Sequence, residues 1–239
     1  MAGDAPAWRF SDAERAAVYR AIHARRDIRS TFLLSPIPDD AVWRLLGAAA
    51  AAPSVGFMQP TEVIVIRDVE KRRRIQRHFE VVNQAAAEAY VDDERAAYDA
   101  LKLAAILDTP LNVVFTCDTT TTRGRGLGRQ TMPETAVFST VCAVQNFWLA
   151  ARAENIGVGW VSILEPAAVK AVLEIPDYLT LVAYLCVGYV SDFPRQPELE
   201  AKGWEDARAL AEMAYLDAYG RPLPPPADAS GAAWNHDEP

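Results

Sequence analysis

Apolar and polar positions recur with two different periods along the chain, and they predict an ordered series of strands and helices. Short runs rich in Val, Ile and Leu indicate buried strands at 62–67, 111–117, 157–163 and 179–190. Longer amphipathic or alanine-rich stretches predict helices at 11–23, from about 40 to 52, at 69–107 and at 135–155, with a short helix after Glu165.

Local signals predict where several of these elements begin and end. Ser11 and Glu14 form a capping-box pattern at the start of the first helix. Pro53 stops the second helix, because proline has no amide and disfavours helix in the residue before it. The long helical stretch is predicted to break near 91–93, and Gly157 is the predicted C-cap of the 135–155 helix.

Strands separated by helices, with one long apolar helix, predict an α+β fold or a three-layer α/β sandwich in one domain. The 135–155 helix is apolar over most of its surface. A helix of that kind is either the central core helix or part of an oligomer interface. The pattern leaves the strand order open.

Composition narrows the classes of partner. The chain has 239 residues, a formal net charge of -8 and a pI near 5.0, which excludes bulk attraction to nucleic acid or anionic membranes. No apolar run approaches the roughly 20 residues of a membrane span, and the N-terminus is polar, so a cytoplasmic location is expected. The three cysteines lie within apolar runs and are predicted to be buried thiols, and the histidines lack metal-ligand spacing.

Arg25, Arg26 and Arg29 place three guanidinium groups within five residues of an acidic protein. Arginine pairs bidentately with phosphate, so the cluster is a candidate dianion site. A solvated basic helix end remains the alternative. Asp27, within the cluster, is a candidate proton-transfer group if it is buried, whereas an ordinary ion pair with Arg25 or Arg29 is the simpler interpretation.

Two further segments carry polar groups suited to the edge of a flat heterocycle. The 53–60 loop offers the hydroxyl of Ser54 and the amide of Gln59. The 157–162 segment combines close backbone approach at Gly157 and Gly159 with the hydroxyl of Ser162. It lacks the third glycine of a dinucleotide fingerprint. The glycine-rich 124–129 segment lacks the ending of a phosphate loop and is interpreted as a lid or surface turn.

In their order along the chain, these segments resemble the nitroreductase-like FMN enzymes. The matching motifs are Arg-Arg-Asp-x-Arg at 25–29, Pro-Ser-x-x-x-x-Gln-Pro at 53–60, Gly-x-Gly-Trp at 157–160 and a Gly-Tyr pair followed by Arg195. Most of that superfamily has Ser in place of Asp27 and Asn in place of Phe57. In both departures the chain is similar to the dimethylbenzimidazole synthase branch, and the resemblance extends from about residue 23 to 204.

The resemblance implies a nitroreductase-like three-layer α/β/α sandwich with a mostly antiparallel central sheet, in a homodimer with FMN at the subunit interface. It implies an FMN domain at 11–215, between an N-terminal extension at 1–10 and a proline-rich tail at 216–239. It also implies two reaction-determining positions, Asp27 and Ser162. The implied flavin contacts are Arg25, Arg26, Arg29, Ser54, Gln59, Gly157, Gly159 and Arg195.

The activity that this branch implies is the oxygen-dependent fragmentation of reduced FMN. The flavin is consumed as substrate and O₂ is the co-substrate, giving 5,6-dimethylbenzimidazole, the lower ligand of vitamin B12, and erythrose 4-phosphate. A separate flavin reductase is then needed to supply reduced FMN. The alternatives are an FMN-dependent NAD(P)H nitroreductase or ene-reductase, and a flavin-binding protein without chemistry.

Overall fold

The computed structural model describes residues 8–225 of the chain, in two compact units. The first unit ends at Phe193 and the second begins at Pro194. Residues 1–7 and 226–239, which make up most of the predicted extension and tail, lie outside the described residues. The predicted FMN domain at 11–215 stays a prediction.

The first unit contains six α-helices and four strands among its described residues. In chain order they are α1 (Asp12–Ala24), α2 (Asp39–Ala50), β1 (Thr61–Ile66), α3 (Val69–Ala87), α4 (Asp92–Asp99), β2 (Leu111–Asp118), α5 (Thr135–Ala153), β3 (Ile156–Val161), α6 (Pro166–Leu173) and β4 (Leu179–Tyr189). The second unit holds the short α7 (Glu198–Ala201) and a 3-10 turn at Leu210–Glu212. The predicted strands are all confirmed, as is the capping box of Ser11 and Glu14.

The four strands form one antiparallel sheet in the order β1-β2-β4-β3. β2 and β4 are the central strands, and they pair from Leu111 opposite Val187 to Asp118 opposite Leu179. The predicted α+β class with an antiparallel sheet is therefore confirmed. β3 is an edge strand of this sheet, which leaves its free edge open to another segment of the chain.

Alternation along β2 divides the core into two layers. Val113 and Phe115 pack on the side of α2 and α5, and the ring of Phe115 meets Phe147 of α5 edge to face at 5.5 Å. Val114 points to the opposite side, where Ile75 of α3 and Val169 of α6 complete a second cluster. Helices cover both faces of the sheet, as the predicted three-layer sandwich requires.

The helix α5 packs one face against the sheet and exposes another. Its exposed side chains recur at helical spacing on a single stripe, which comprises Phe138, Val141, Cys142 and Gln145. Cys117 and Cys186 are buried, but Cys142 is exposed. The prediction of three buried thiols was therefore wrong for Cys142, because an apolar helix was equated with a fully buried one.

Two element ends differ from the prediction. α5 ends at Ala153, and Asn155, with φ of 57°, takes the left-handed conformation that was assigned to Gly157. Gly157 lies instead inside β3, where a Cβ would come within 2.4 Å of Val190 Cγ1. The helical stretch also ends at Asp99 and not at residue 107. After α4, the chain passes the buried Arg72, which donates to the Thr109 carbonyl at 2.5 Å.

The buried thiol of Cys186, in the second core layer, is expected to make the protein less stable at alkaline pH. Burial raises the pKa of the Cys186 thiol from an ordinary 9.0 to about 12. The unfolded chain ionises this thiol first, so its contribution is complete below pH 9 and is lost as the pH rises toward 12. Urea titrations should show about 2 kcal/mol less loss between pH 9 and 10.5 in Cys186→Ala than in the wild type. Cys142→Ala, at the exposed thiol, should retain the wild-type loss, and equal losses in all three proteins would contradict this assignment.

Candidate active site

Segment 25–29 leaves α1 and runs along the free edge of β3. The Ile28 amide donates to the Val158 carbonyl at 3.0 Å, and Asp27 pairs with Val158 in parallel. A Cβ on Gly159 would lie only 2.1 Å from the Ile28 carbonyl oxygen. Glycine at 159 is therefore required for this close approach of two backbones. The flavin contact predicted for Gly159 stays a prediction beside this packing role.

Both carboxylate oxygens of Asp27 are engaged. Oδ1 accepts a hydrogen bond from the Trp160 amide at 3.0 Å, and Oδ2 accepts one from the Arg29 guanidinium. The predicted ion pair with an arginine is thus present. It is compatible with a chemical role, because the carboxyl group is held in a fixed orientation by two elements.

Burial raises the pKa of the Asp27 carboxyl above its ordinary value, and the charges of Arg29 and Arg25 and the Trp160 amide offset part of this rise. The Asp27 side chain is half-buried, at 31% exposed. A half-buried carboxyl group beside cations, with a raised pKa, is better suited to taking up a proton than a fully exposed aspartate is. Such perturbed groups cluster at functional sites. The geometry therefore gives Asp27 the properties of a proton-transfer group.

The three arginines of the cluster have different surroundings. The Arg25 guanidinium carbon lies 4.8 Å from the ring centre of Trp148. Arg26 is buried, and its Nη1 donates to the carbonyls of His23 and Arg25 at 2.5 and 2.7 Å, at the C-terminus of α1. In this position Arg26 stabilises a helix end. Its predicted phosphate contact has less geometric support than those of Arg25 and Arg29.

Arg29 carries an unused donor. Its side chain is only 14% exposed, and the buried Nε donates to no acceptor among the described residues. A buried donor without a partner costs free energy, and a bound anion would satisfy it. The cluster thus has the composition and one open donor of an anion site.

The 53–60 loop is a second polar region, and it is fixed by α5. Ser54 Oγ accepts a hydrogen bond from the backbone N–H of Gln59 across the loop at 3.1 Å. The backbone N–H of Val55 donates to Ser139 Oγ at 3.1 Å. Phe57 and Gln59 have positive φ values of 54° and 46°. Non-glycine residues adopt this conformation rarely, and where they do the surrounding structure imposes it. The loop is therefore held in one defined shape.

A cavity of about 190 Å³ lies beside this loop. Ser54 and Gln59 line it, together with Ser139 and small side chains of α2 and α5. None of its lining residues belongs to the 25–29 segment or to β3. Within one chain the predicted site residues thus form two groups, one at β3 and one at the 53–60 loop.

The glycine-rich 123–128 segment lies against the 53–60 loop. A Cβ on Gly124 would come within 2.3 Å of the Gly56 carbonyl oxygen, and the Arg123 guanidinium donates to Gln59 Oε1. Residues 124–129, most of this segment, were predicted as a lid or surface turn. Its position against the loop that carries Ser54 and Gln59 connects it to the candidate site.

Contacts define the places of Ser162 and Arg195 less closely than those of the other predicted site residues. Ser162 is exposed, directly after the last residue of β3 and two residues after the Trp160 amide that binds Asp27. Arg195 belongs to the second unit. Their predicted roles, in orienting the flavin and binding its phosphate, stay predictions.

Sequence reasoning missed three residues that shape these regions, namely Arg123, Ser139 and Trp148. Each acts across more than fifty positions of sequence, on Gln59, Val55 and the Arg25–Arg26 segment respectively. A polar residue on the apolar α5, at Ser139, was the only local signal available. Contacts between residues so far apart in sequence depend on the fold, so they produce no periodic pattern along the chain.

Two features are absent from the described part of the chain. Within residues 8–225, no three His, Cys, Asp or Glu side chains are grouped so as to hold a metal ion. In the same part of the chain, no helix combines the length and apolar character required to cross a membrane.

Comparison with curated proteins identifies relatives over most of the chain. The chain is 43% identical over 184 residues to the 5,6-dimethylbenzimidazole synthase of Rhodospirillum rubrum, covering 77% of this chain and 87% of the relative. It is 36% identical over 197 residues to a protein of the same name from Rhodobacter capsulatus, covering 82% and 95%.

Solved structures with the same fold are more distant in sequence. Iodotyrosine deiodinase bound to FMN and 3-iodo-L-tyrosine superposes with a TM-score of 0.64 at 20% identity, covering 76% of this chain and 94% of that one. A nitroreductase family protein from Clostridium novyi has a TM-score of 0.56 at 22% identity, with 86% and 96% covered. The model of the nitroreductase family matches residues 22–189, which span all four strands. The chain therefore belongs to the nitroreductase family.

Proposed function

We propose that this chain is a 5,6-dimethylbenzimidazole synthase. It would convert reduced FMN and O₂ to 5,6-dimethylbenzimidazole and erythrose 4-phosphate, with the rest of the flavin's pyrimidine ring leaving as a further product. This step provides the lower ligand of vitamin B12. The names of relatives at 43% and 36% identity support this proposal. The observation that carries it is Asp27, a half-buried carboxyl group inside an arginine cluster, which Arg29 and the Trp160 amide hold in place and whose pKa is raised.

The residues present fit a flavin phosphate. The protein is acidic overall, so a dianion needs local positive charge, and Arg25 and Arg29 provide it. The buried Arg29 Nε, which has no acceptor among the described residues, supports an anion at this position. Ser54, Gln59 and the backbone at Gly157 and Gly159 would contact the ring and ribityl chain, and Arg195 would add a further cation.

Bound reduced FMN supplies the electrons for oxygen. Asp27 accepts and returns a proton at Oδ2, while Oδ1 stays bound to the Trp160 amide and fixes the carboxyl plane. Arg29, which donates to Oδ2, keeps that oxygen in place. Ser162 donates a hydrogen bond that orients the reacting ring, from the end of the strand that also positions Asp27.

The complete site is proposed to form between two copies of the chain. The 190 Å³ cavity beside the 53–60 loop is smaller than the 300–1,000 Å³ usual for a ligand of this size. The arginine cluster lies elsewhere on the chain, so the two groups of site residues would meet only across an interface. The exposed stripe of α5 begins at Phe138, three positions after the buried Thr135. It provides an apolar surface for that interface.

A separate flavin reductase is proposed as the second partner. The reaction consumes its flavin in reduced form, so each turnover requires a new molecule of reduced FMN. The proposed reaction needs no nicotinamide site on this chain. This distinguishes the proposal from an NAD(P)H-dependent nitroreductase, which keeps its flavin.

Product analysis tests the proposal directly. Purified protein mixed with photoreduced FMN and air is expected to release 5,6-dimethylbenzimidazole, detected by mass spectrometry, with loss of an equal amount of flavin. Recovery of all the flavin as oxidised FMN would contradict the synthase assignment and support a binding protein. Sustained consumption of NADH with a nitroaromatic, at constant flavin, would support a nitroreductase instead.

A further inference from the structure

Trp148 on α5 makes three contacts with the neighbourhood of Asp27. Its indole Nε1 donates to the Arg26 carbonyl at 3.3 Å. Its ring lies under the Arg25 guanidinium at 4.8 Å, and its centroid is 6.3 Å from that of Trp160. Trp148 is only 7% exposed, so these contacts are made in the interior. It is a buried side chain that touches the cluster from the side of α5.

Segment 25–29 is held from two sides. From β3, the Val158 carbonyl binds the Ile28 amide, and the Trp160 amide binds Asp27. From α5, the indole of Trp148 binds the peptide that immediately precedes Asp27. Two anchors on different elements fix both the position and the orientation of a short segment, whereas one anchor leaves it free to rotate.

The two contacts of Trp148 serve different groups. The hydrogen bond to Arg26 restrains the backbone that carries the Asp27 carboxyl group. The ring contact restrains the Arg25 guanidinium through a cation–π interaction. Removal of the N–H alone would therefore disturb Asp27, and removal of the ring would also disturb Arg25.

We infer that Trp148 is a positioning residue, which sets the orientation of the Asp27 carboxyl group through its indole N–H and of the Arg25 guanidinium through its ring. The inference rests on the proposed function for its effect on catalysis. Its effect on flavin binding is independent of the reaction. The two halves can be separated by substitution, because phenylalanine retains an aromatic face without the N–H.

The test compares Trp148→Phe and Trp148→Leu with Phe147→Leu. Phe147 is the adjacent buried residue of α5, and its ring packs on Phe115 of β2. The Phe147→Leu variant thus reports the effect of loosening α5 alone. Two quantities are measured: the dissociation constant for oxidised FMN, by flavin fluorescence, and the fraction of reduced FMN that becomes 5,6-dimethylbenzimidazole in air.

Trp148→Phe is expected to lower the product fraction about tenfold, corresponding to about 1.4 kcal/mol, with FMN affinity within about threefold of the wild type. Trp148→Leu is expected to lower the product fraction similarly and to weaken FMN binding about fivefold or more. Phe147→Leu should change neither quantity. A wild-type product fraction in Trp148→Phe would overturn the inference, as would an equal loss in Phe147→Leu.

Failure of the proposed function gives a different result. Wild-type protein that binds FMN and forms no benzimidazole would contradict the synthase assignment. The FMN affinities of the Phe and Leu variants would still test the contact with Arg25. Equal affinities in those two variants and the wild type would overturn that half of the inference.

Discussion

Asp27→Asn is expected to lower the rate of 5,6-dimethylbenzimidazole formation about a thousandfold, within the range for loss of a proton-transfer group. Asparagine retains an oxygen for the Trp160 amide but cannot accept and return the proton at the second position. The affinity for FMN should change by less than about fivefold, because Arg25 and Arg29 remain. Stopped-flow mixing of the reduced complex with oxygen, followed by product quantification, measures the effect.

Asp39→Asn is the matched control for this substitution. Asp39 is exposed and pairs with Arg67 at 2.7 Å, so the variant also removes a carboxylate–arginine pair, away from the candidate site. It should retain the wild-type rate. Product formation at the normal rate in Asp27→Asn would show that the carboxyl group does not transfer the proton. A parallel loss of FMN affinity would assign Asp27 to binding.

Val141→Asp is expected to convert the proposed dimer to a monomer and to weaken FMN binding at least about a hundredfold. Val141 is 40% exposed in the single chain and lies on the exposed stripe of α5 next to Phe138, which is 52% exposed. In the proposed interface an aspartate there would be an unpaired buried carboxylate, repeated by symmetry in both subunits. Light scattering gives the mass, and flavin fluorescence gives the affinity.

Val81→Asp provides the control for the dimer. Val81 is 71% exposed on α3, in the layer on the other side of the sheet. The same substitution there should leave both the mass and the FMN affinity unchanged. A Val141→Asp protein that is dimeric and binds FMN normally would show that α5 does not form the interface.

Some properties of the candidate site could be predicted from the sequence, and others depended on the fold. The arginine cluster was visible as a charge anomaly in an acidic chain, and Asp27 as the unusual member of it. Its ion pair with Arg29 is between near neighbours and was anticipated. The raised pKa required the fold, because desolvation depends on what packs around the carboxyl group. The inward orientation of Arg26, toward the end of α1, was likewise not encoded in any spacing.

The separation of the site into two groups also came only from the structure. Ser54 and Gln59 were grouped with the glycines of β3 from the order of motifs along the chain. In the folded chain, Ser54 and Gln59 line a cavity that none of the β3 residues joins. Order along a sequence records which motifs a family carries, whereas the distances among them depend on the packing of separate elements.

By itself the sequence determined the strands, most helix bounds and the class of fold, because apolar periodicity and capping residues act within a few positions. The tertiary structure decided that the helical stretch ends at Asp99, and that the segment after it contacts Arg72 through the Thr109 carbonyl. It also decided that Asn155 and not Gly157 takes the left-handed conformation that follows α5, since β3 needs a glycine against Val190. These outcomes depend on contacts between residues distant in sequence, whose free energies exceed local conformational preferences.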